Sequence, residues 1–272
     1  MISVLNNVSS LVAENALSST QTSLQNTLQQ LSTGLKINSG SNDPAGLSIA
    51  DGLGANIAAL TQSSQNASNG VGLLQTADGA LSQVTTLLNQ AVSIATEAAN
   101  GGLTTAQSTA ANTEFTSILN EITQIGSTTN FNGEAVFSAA AQTVFTSDGT
   151  ASGSTTTSTA TGALSATTLN LNTNDLSSTT DAATALTALT AAISAVAATR
   201  GTIGASVNTL TADGNVETTE VQNLTSAQDN VQNADIGTTV SNMTQYNVLE
   251  QTGMAALSQA NSAQQNVLKL LQ

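Results

Sequence analysis

The chain of 272 residues contains no Cys and no His, which removes thiol nucleophiles, disulfides, imidazole bases and the usual zinc ligand sets. Three basic residues, Lys36, Arg200 and Lys269, face 17 acidic ones, and the net charge of -14 repels nucleic acid rather than gathering it. Charged residues make up 7% and aromatics 2%, so the polar surface is amide and hydroxyl, and the many alanines suit closely approaching helices that each bury little area.

From residue 4 to residue 35, apolar positions recur at Val4, Val8, Leu11, Leu24, Leu28, Leu31 and Leu35, one narrow stripe along a helix. Leu24, Leu28, Leu31 and Leu35 alternate by four and three, as a coiled-coil seam does. Gly34 and the polar run at residues 38–42 interrupt it, and Asp43 before Pro44 reads as an N-cap followed by a first-turn proline. The next helix is expected from Pro44 to about Ala99, striped by Val71, Leu74, Leu81, Leu88, Val92 and Ala95. Its glycines each disfavour it by about 1 kcal/mol against Ala, so packing rather than propensity must hold it. Asn100-Gly101-Gly102 ends it, and a shorter helix follows with Phe115, Ile118, Leu119, Ile122 and Ile125 on one face.

Asn132-Gly133 signals a tight turn, and Thr143-Val144-Phe145 and Thr168-Leu169-Asn170-Leu171 are expected as short strands. Between them, Ser147 to Ala166 is a Ser/Thr/Gly/Ala tract, readable as a loop, a mobile outer segment, or strands supported by a neighbour. Helical spacing returns from Ala182 to Leu210, where Gly201 and Gly204 offer close contact or a bend, and a last continuous helix is expected from about Val221 to Leu271. Fifty helical residues span roughly 75 Å, too long for one globular core. No stretch approaches eighteen continuous apolar residues, so no membrane insertion is expected, and the first residues lack the basic, apolar and small-residue regions of a cleaved signal peptide.

The fold class read from these elements is mainly α: a long antiparallel helical rod with coiled-coil-like terminal helices and a small β-containing outer region in the middle of the chain. The terminal seam is incomplete. Asn247 and Glu250 follow Val240 and Met243 at heptad positions, and Asn261 and Gln264 separate Leu257 from Leu268. Two readings stand side by side: the exposed face of an ordinary bundle, or helices whose packing is completed in an assembly. Non-closing contacts between identical subunits generate filaments.

QLSTGLKINSGSNDPAGLSIADGL at residues 30–53, NFNGEAVF at 130–137, RGTIGASVNTL at 200–210 and the segment from residue 229 to residue 272 resemble the signatures of bacterial flagellins. The resemblance covers both ends and their flanking helices. It implies an α-helical inner tube from the two ends, a flanking shell with a short β element, and an outward middle. It also implies export, without a cleaved signal peptide, to an extracellular filament of the bacterial flagellum. Domains follow as 1–42, inner-core helix and linker; 43–137, amino-side helical rod and start of the β element; 138–181, variable outer segment; 182–215, carboxyl-side rod; and 216–272, carboxyl-terminal inner-core helix.

By this resemblance Leu24, Leu28, Leu31, Leu35, Met254, Leu257, Leu268 and Leu271 make the polymerisation contacts. Phe131, Asn132 and Gly133 match the turn into the β element; Arg200, Gly204, Ala205 and Asn208 match the rod motif; Gln259, Ala260 and Asn261 match the motif near the terminus. Gln30, Gln90, Gln228, Asn230 and Thr209 stand where the family often carries basic residues, so its salt bridges are not transferred. The implied partners are other copies of the chain and other flagellins, the export apparatus, an export chaperone, the junction protein and the filament cap. No catalytic residue, metal ligand or cofactor is assigned. Arg200 reads as half of a structural pair or as a terminal-cap contact rather than a ligand site, Asp213-Gly214-Asn215 as a turn rather than a calcium loop, and Tyr246 as an interface anchor. The function expected is a non-enzymatic structural subunit of the flagellar filament; the alternatives are a hook-filament junction protein and, remotely, a carboxylate-dependent hydrolase.

Overall fold

The computed structural model describes residues 7–140, 142–148, 155–159 and 161–270, the side chains of 155–159 and 267–270 excepted. Val4, Leu271 and residues 149–154 of the Ser/Thr tract therefore lie outside the described residues, as does the side chain of Leu268. The elements run α1 (Val8–Thr33), α2 (Pro44–Ala99), α3 (Thr105–Thr128), β1 (Asn130–Phe131), β2 (Glu134–Ala135), β3 (Gln142–Thr146), β4 (Thr155–Thr159), α4 (Thr179–Gln232) and α5 (Ile236–Leu270). The chain is mainly helical with a small central β region, as the periodicity predicts. Backbone packing divides it into two units, residues 1–55 with 223–272 and residues 56–222.

In the second unit, α2 and α4 pack antiparallel with α3 around one core. Leu74, Leu81, Val84 and Leu88 of α2, Phe115 and Ile122 of α3, and Leu189, Val196 and Leu210 of α4 are nearly or wholly removed from water. Many of the remaining core positions are Ala, including Ala77, Ala91, Ala95, Ala182, Ala185 and Ala192, which let helix axes approach where larger side chains would hold them apart. The α3 start is a reciprocal capping box: the Thr104 hydroxyl accepts from the Gln107 amide while the Gln107 side chain accepts from the Thr104 amide. Gly126 near its end meets Leu164 so closely that a Cβ would stand 1.9 Å from the Leu164 carbonyl oxygen. Only a residue without a side chain permits that approach.

β1 and β2 form a hairpin whose two turn residues, Asn132 and Gly133, have φ of 53° and 85°. These positive values are what a two-residue turn matched to the strand twist requires. β3 and β4 pair antiparallel from Gln142 opposite Thr159 to Thr146 opposite Thr155. Of the readings open for the Ser/Thr tract, a strand supported by a neighbour holds for β4, while Thr161, Leu164 and Ala166 at its end are buried.

The strand expected at Thr168 to Leu171 is instead a series of turns. Ser165 and Thr168 exchange backbone-to-side-chain hydrogen bonds, and Asn170 adopts φ of 56°, a local hydroxyl-amide solution that competes with extended backbone. The expected unbroken helix from Val221 to Leu271 is also corrected: α4 continues to Gln232, and the break falls at residues 233–235. Gly201 and Gly204 do not interrupt α4, and Asp213-Gly214-Asn215 lie inside it rather than in a turn. Helical backbone there is held by the buried side chains Ile203, Leu210 and Glu217 on either side.

The long helix α4 contains a window apolar and long enough to cross a membrane. That apolarity comes largely from alanine, and its face at Ala182, Ala185, Leu189, Ala192 and Val196 is consumed by the core.

Candidate functional site

The first unit is built on α1 and α5. Asn7 caps α1 by accepting from the Ser10 amide, and Gly34, with φ of 73°, closes its far end through a bond to the Gln30 carbonyl. Asp235 starts α5: its carboxylate accepts from the amides of Gly237 and Thr238 and from the Thr238 hydroxyl. Those bonds, the Thr238 hydroxyl foremost, hold the Asp235 carboxyl below the usual carboxylate range. Asp235 is the helix signal that sequence reading passed over at the break.

The two helices run antiparallel. Asn7 Nδ2 donates to the Ala260 carbonyl at 3.1 Å, Ser10 Oγ to Asn261 Oδ1 at 3.0 Å, and Gln21 Nε2 to Glu250 Oε1 at 3.3 Å. At the other end the Leu35–Asn233 bridge ties the connections together, with Lys36 N–H donating to the Gln232 carbonyl and Ala234 N–H to that of Gly34.

Burial along each helix recurs by three and four. On α1 the shielded positions recurring this way are Ser10, Ala13, Leu17, Thr20, Leu24, Thr27 and Leu31, with Ser23 and Gln30 shielded beside them; on α5 they are Thr239, Met243, Tyr246, Glu250, Gly253, Leu257, Ala260 and Gln264. That is a heptad seam in which Leu17, Leu24, Leu31, Met243, Tyr246 and Leu257 are interleaved with small and polar side chains. Leu17 occupies the hollow at Gly253, its Cδ1 3.3 Å from where a Cβ would stand. The apolar stripes read from the sequence include Leu24, Leu31, Met243 and Leu257 of this seam, but also Leu28 and Val240, which lie off it, because the positions between the large residues are filled by Ser, Thr, Ala and Gly.

The residues expected to make polymerisation contacts therefore separate. Leu24, Leu31 and Leu257 are half-buried in the seam, and Leu35 sits in the bridge. Leu28 and Met254 point away from it, 46% and 50% exposed. Val8, Leu11 and Val12 on α1, and Ile236, Val240, Val248 and Leu249 on α5, are exposed with them. Among the described residues, only Phe145 and Val216 of the exposed large apolar side chains fall in the second unit. The seam thus uses one face of each terminal helix and leaves large apolar side chains in water on both.

Of the motif near the terminus, Ala260 and Asn261 receive the hydrogen bonds from Asn7 and Ser10, while Gln259 is exposed. In the second unit, Phe131 rests on α2, its ring 3.2 Å from where a Gly72 Cβ would lie, and Asn132 and Gly133 form the hairpin turn. Arg200 Nε donates to Asp78 Oδ1 at 2.7 Å and Nη2 to Oδ2 at 3.2 Å, a bidentate pair. That hydrogen bonding holds Asp78 below and Arg200 above their ordinary values. Gly204, Ala205 and Asn208 are exposed on α4 beyond this pair, and Gly204 and Asn208 border an open groove with Gly79 and Val207. Tyr246 is half-buried in the seam. Among the described residues, no three acidic side chains converge as a metal site would require.

A family model described as the bacterial flagellin N-terminal helical region matches residues 4–142, and one described as the bacterial flagellin C-terminal helical region matches residues 186–271. A flagellin of Halalkalibacterium halodurans is 31% identical over 248 residues, 91% of each chain. A flagellin of Serratia marcescens is 41% identical over 139 residues, 51% of this chain and 40% of that one. A flagellin of Salmonella muenchen is 39% identical over 137 residues, 50% of this chain and 27% of that one. The match thus spans less than half the length of the last two relatives. The crystal structure of Bacillus cereus flagellin aligns over 56% of this chain and 88% of its own, with 28% identity and a TM-score of 0.48.

Proposed function

This chain belongs to the bacterial flagellin family, and from that premise we propose that it is the structural subunit that polymerises into an extracellular flagellar filament. The observation that carries the reading is the set of large apolar side chains that the terminal helix pair leaves exposed. Val8, Leu11, Val12 and Leu28 on α1, with Val240, Val248, Leu249 and Met254 on α5, remain in water after the intrachain seam is formed. Moving such a side chain from full exposure to full burial is worth about 1.5–3 kcal/mol, and these, already about half shielded, would each gain roughly half of that, so repetition of the subunit supplies apolar contact that one chain lacks. The small and polar residues interrupting the seam support this reading, because they hold register while leaving part of the stabilisation to neighbours.

In this reading residues 1–42 and 216–272 contribute to the inner helical layer of the filament, 43–137 and 182–215 to the flanking layer, and 138–181 to the outward segment. The polymer transmits motor rotation as thrust, and the chain performs no catalysis. It is exported without cleavage of a signal peptide, and its partners beyond itself are the export apparatus, an export chaperone, the junction protein and the filament cap. These assignments rest on family resemblance.

The test is electron microscopy of polymer grown from a Val12→Ser, Leu249→Ser double variant beside the unchanged chain. Both side chains already face water, so monomer stability should move by no more than about 0.5 kcal/mol per site, while long filaments should disappear. Normal filaments from the variant would overturn the assignment of these side chains. Short, non-propagating assemblies from the unchanged chain would instead support a hook-filament junction role.

A further inference from the structure

The end of β3 is seated on one face of α2. Ser147 N–H donates to Ser63 Oγ at 2.7 Å, Asn66 Nδ2 donates to the Phe145 carbonyl at 3.3 Å, and Val144 fills the space beside Gly70. Ser63 has one hydroxyl proton, and it goes to Glu217 Oε1 on α4, also at 2.7 Å. A single chain of hydrogen bonds thus runs from β3 through α2 to a carboxyl group on α4. Glu217 is 6% exposed, and among the described residues its second oxygen, Oε2, has no hydrogen-bond partner.

Glu217 borders a cavity of about 230 Å³. Asp213 and Glu220 border it from the adjoining turns of α4, and Asp148 borders it from the segment just after β3; α2 contributes Leu60 and, through the hydrogen bond, Ser63, both uncharged. Among the described residues, no Lys or Arg lines the cavity. A buried carboxylate with an unpaired oxygen and acidic neighbours is expensive, while the neutral acid loses only the hydrogen bond of one hydroxyl.

We propose that Glu217 is a proton-operated latch for the seat of β3. In the neutral state it stays buried beneath Ser63 and the chain of hydrogen bonds is closed. When the carboxyl proton leaves to solvent, the carboxylate turns into the cavity toward water, Ser63 loses its acceptor, and the β3 end loosens from α2. The same surroundings move the titration in the required sense. Burial, above all, raises the Glu217 carboxyl; the Ser63 hydrogen bond opposes this, and the charges of Asp213 and Glu220 add to it. Because the seated form binds the proton more tightly, seating is fully favoured below the ordinary glutamate range and is lost as pH rises through the raised value. The latch belongs to the subunit itself and stands whether or not the chain polymerises.

The test is amide exchange at Ser147 in the full-length monomer from about pH 4 to about pH 8, corrected for the intrinsic pH dependence of exchange. Protection should fall across the transition by up to about tenfold per pH unit. Glu217→Gln keeps an acceptor for Ser63 and cannot ionise, so its protection should stay level. Glu121→Gln, exposed on α3, removes the same charge and should keep the original fall. Should Glu217→Gln not fold, Asp213→Asn and Glu220→Gln decide: each removes a like charge and should move the fall to lower pH. Level protection in the unchanged chain, or an equal fall in Glu217→Gln, would overturn the latch. So would a Glu217 carbon resonance that titrates below the ordinary glutamate range once millimolar calcium is added, since the cavity would then hold a cation.

Discussion

Leu17 of α1 lies over Gly253 of α5, its Cδ1 only 3.3 Å from the place a Gly253 Cβ would take. The smallest residue of the α5 seam thus receives one of the largest of the α1 seam, which sets how closely the two helices approach. Gly253→Ala asks the flexible end of Leu17 to move by a few tenths of an ångström. It also gains up to about 1 kcal/mol of helix propensity, so helicity and filament growth should be retained. Gly253→Phe should separate the helices and raise the critical concentration for polymerisation, measured by sedimentation at several subunit concentrations.

Gly126 gives a sharper expectation in the second unit. Because a Cβ there would stand 1.9 Å from a backbone oxygen of Leu164, no side-chain rotation relieves the clash. Gly126→Ala should lower stability by about 3 kcal/mol. A urea midpoint shifted down at unchanged slope checks it.

Phe115, fully removed from water, anchors α3 in that same core. Phe115→Ala should cost about 3–5 kcal/mol, whereas Leu28→Ala on the exposed face of α1 should leave monomer unfolding nearly unchanged and impair assembly. Paired denaturation and polymerisation assays separate the two effects.

The Asp78–Arg200 pair carries a defined pH sign. Its hydrogen bonds lower the Asp78 carboxyl in the folded chain, so the unfolded chain binds the proton more readily. The pair's contribution is present above the ordinary aspartate value and is lost as pH falls through the depressed folded value. Both side chains are roughly two-fifths exposed, at 41% and 37%, so the effect is modest and shrinks with added salt. Asp78→Asn should remove this share of acid sensitivity, visible as a smaller drop in melting temperature on acidification at low ionic strength.

Net charge makes a further expectation. Subunits carrying -14 repel one another, so moderate salt should shorten the lag of polymerisation until specific packing dominates. Light scattering during growth, at salt levels below salting-out, measures this; a lag that lengthens with salt would contradict it.

The amino-acid pattern was enough to place α1, α2 and α3, several of their ends and the family resemblance, though not the break between α4 and α5. Asp43-Pro44, Asn100-Gly101-Gly102 and Asn132-Gly133 act through backbone rules that need no distant partner, and the amide of Gly46 does bond to Asp43 as a cap requires. The repeats of Leu81, Leu88, Phe115 and Ile122 likewise marked core faces, because a large apolar side chain is recognisable wherever it stands.

Which face of each terminal helix is used within the chain is set by packing and not by the local pattern. Leu24 and Leu28 are equally apolar, yet one enters the seam and the other remains in water, because the choice depends on where Thr20, Thr27 and Gly253 allow the partner helix to approach. The turn at Thr168 to Leu171 was decided by a hydroxyl exchange with Ser165 that outcompetes strand pairing. Glu217 and Ser63 lie far apart in sequence, and as isolated residues each resembles an ordinary solvated polar group. Their link to β3 arises only when α2 and α4 close over both, since burial and hydrogen-bond geometry are properties of the packed chain.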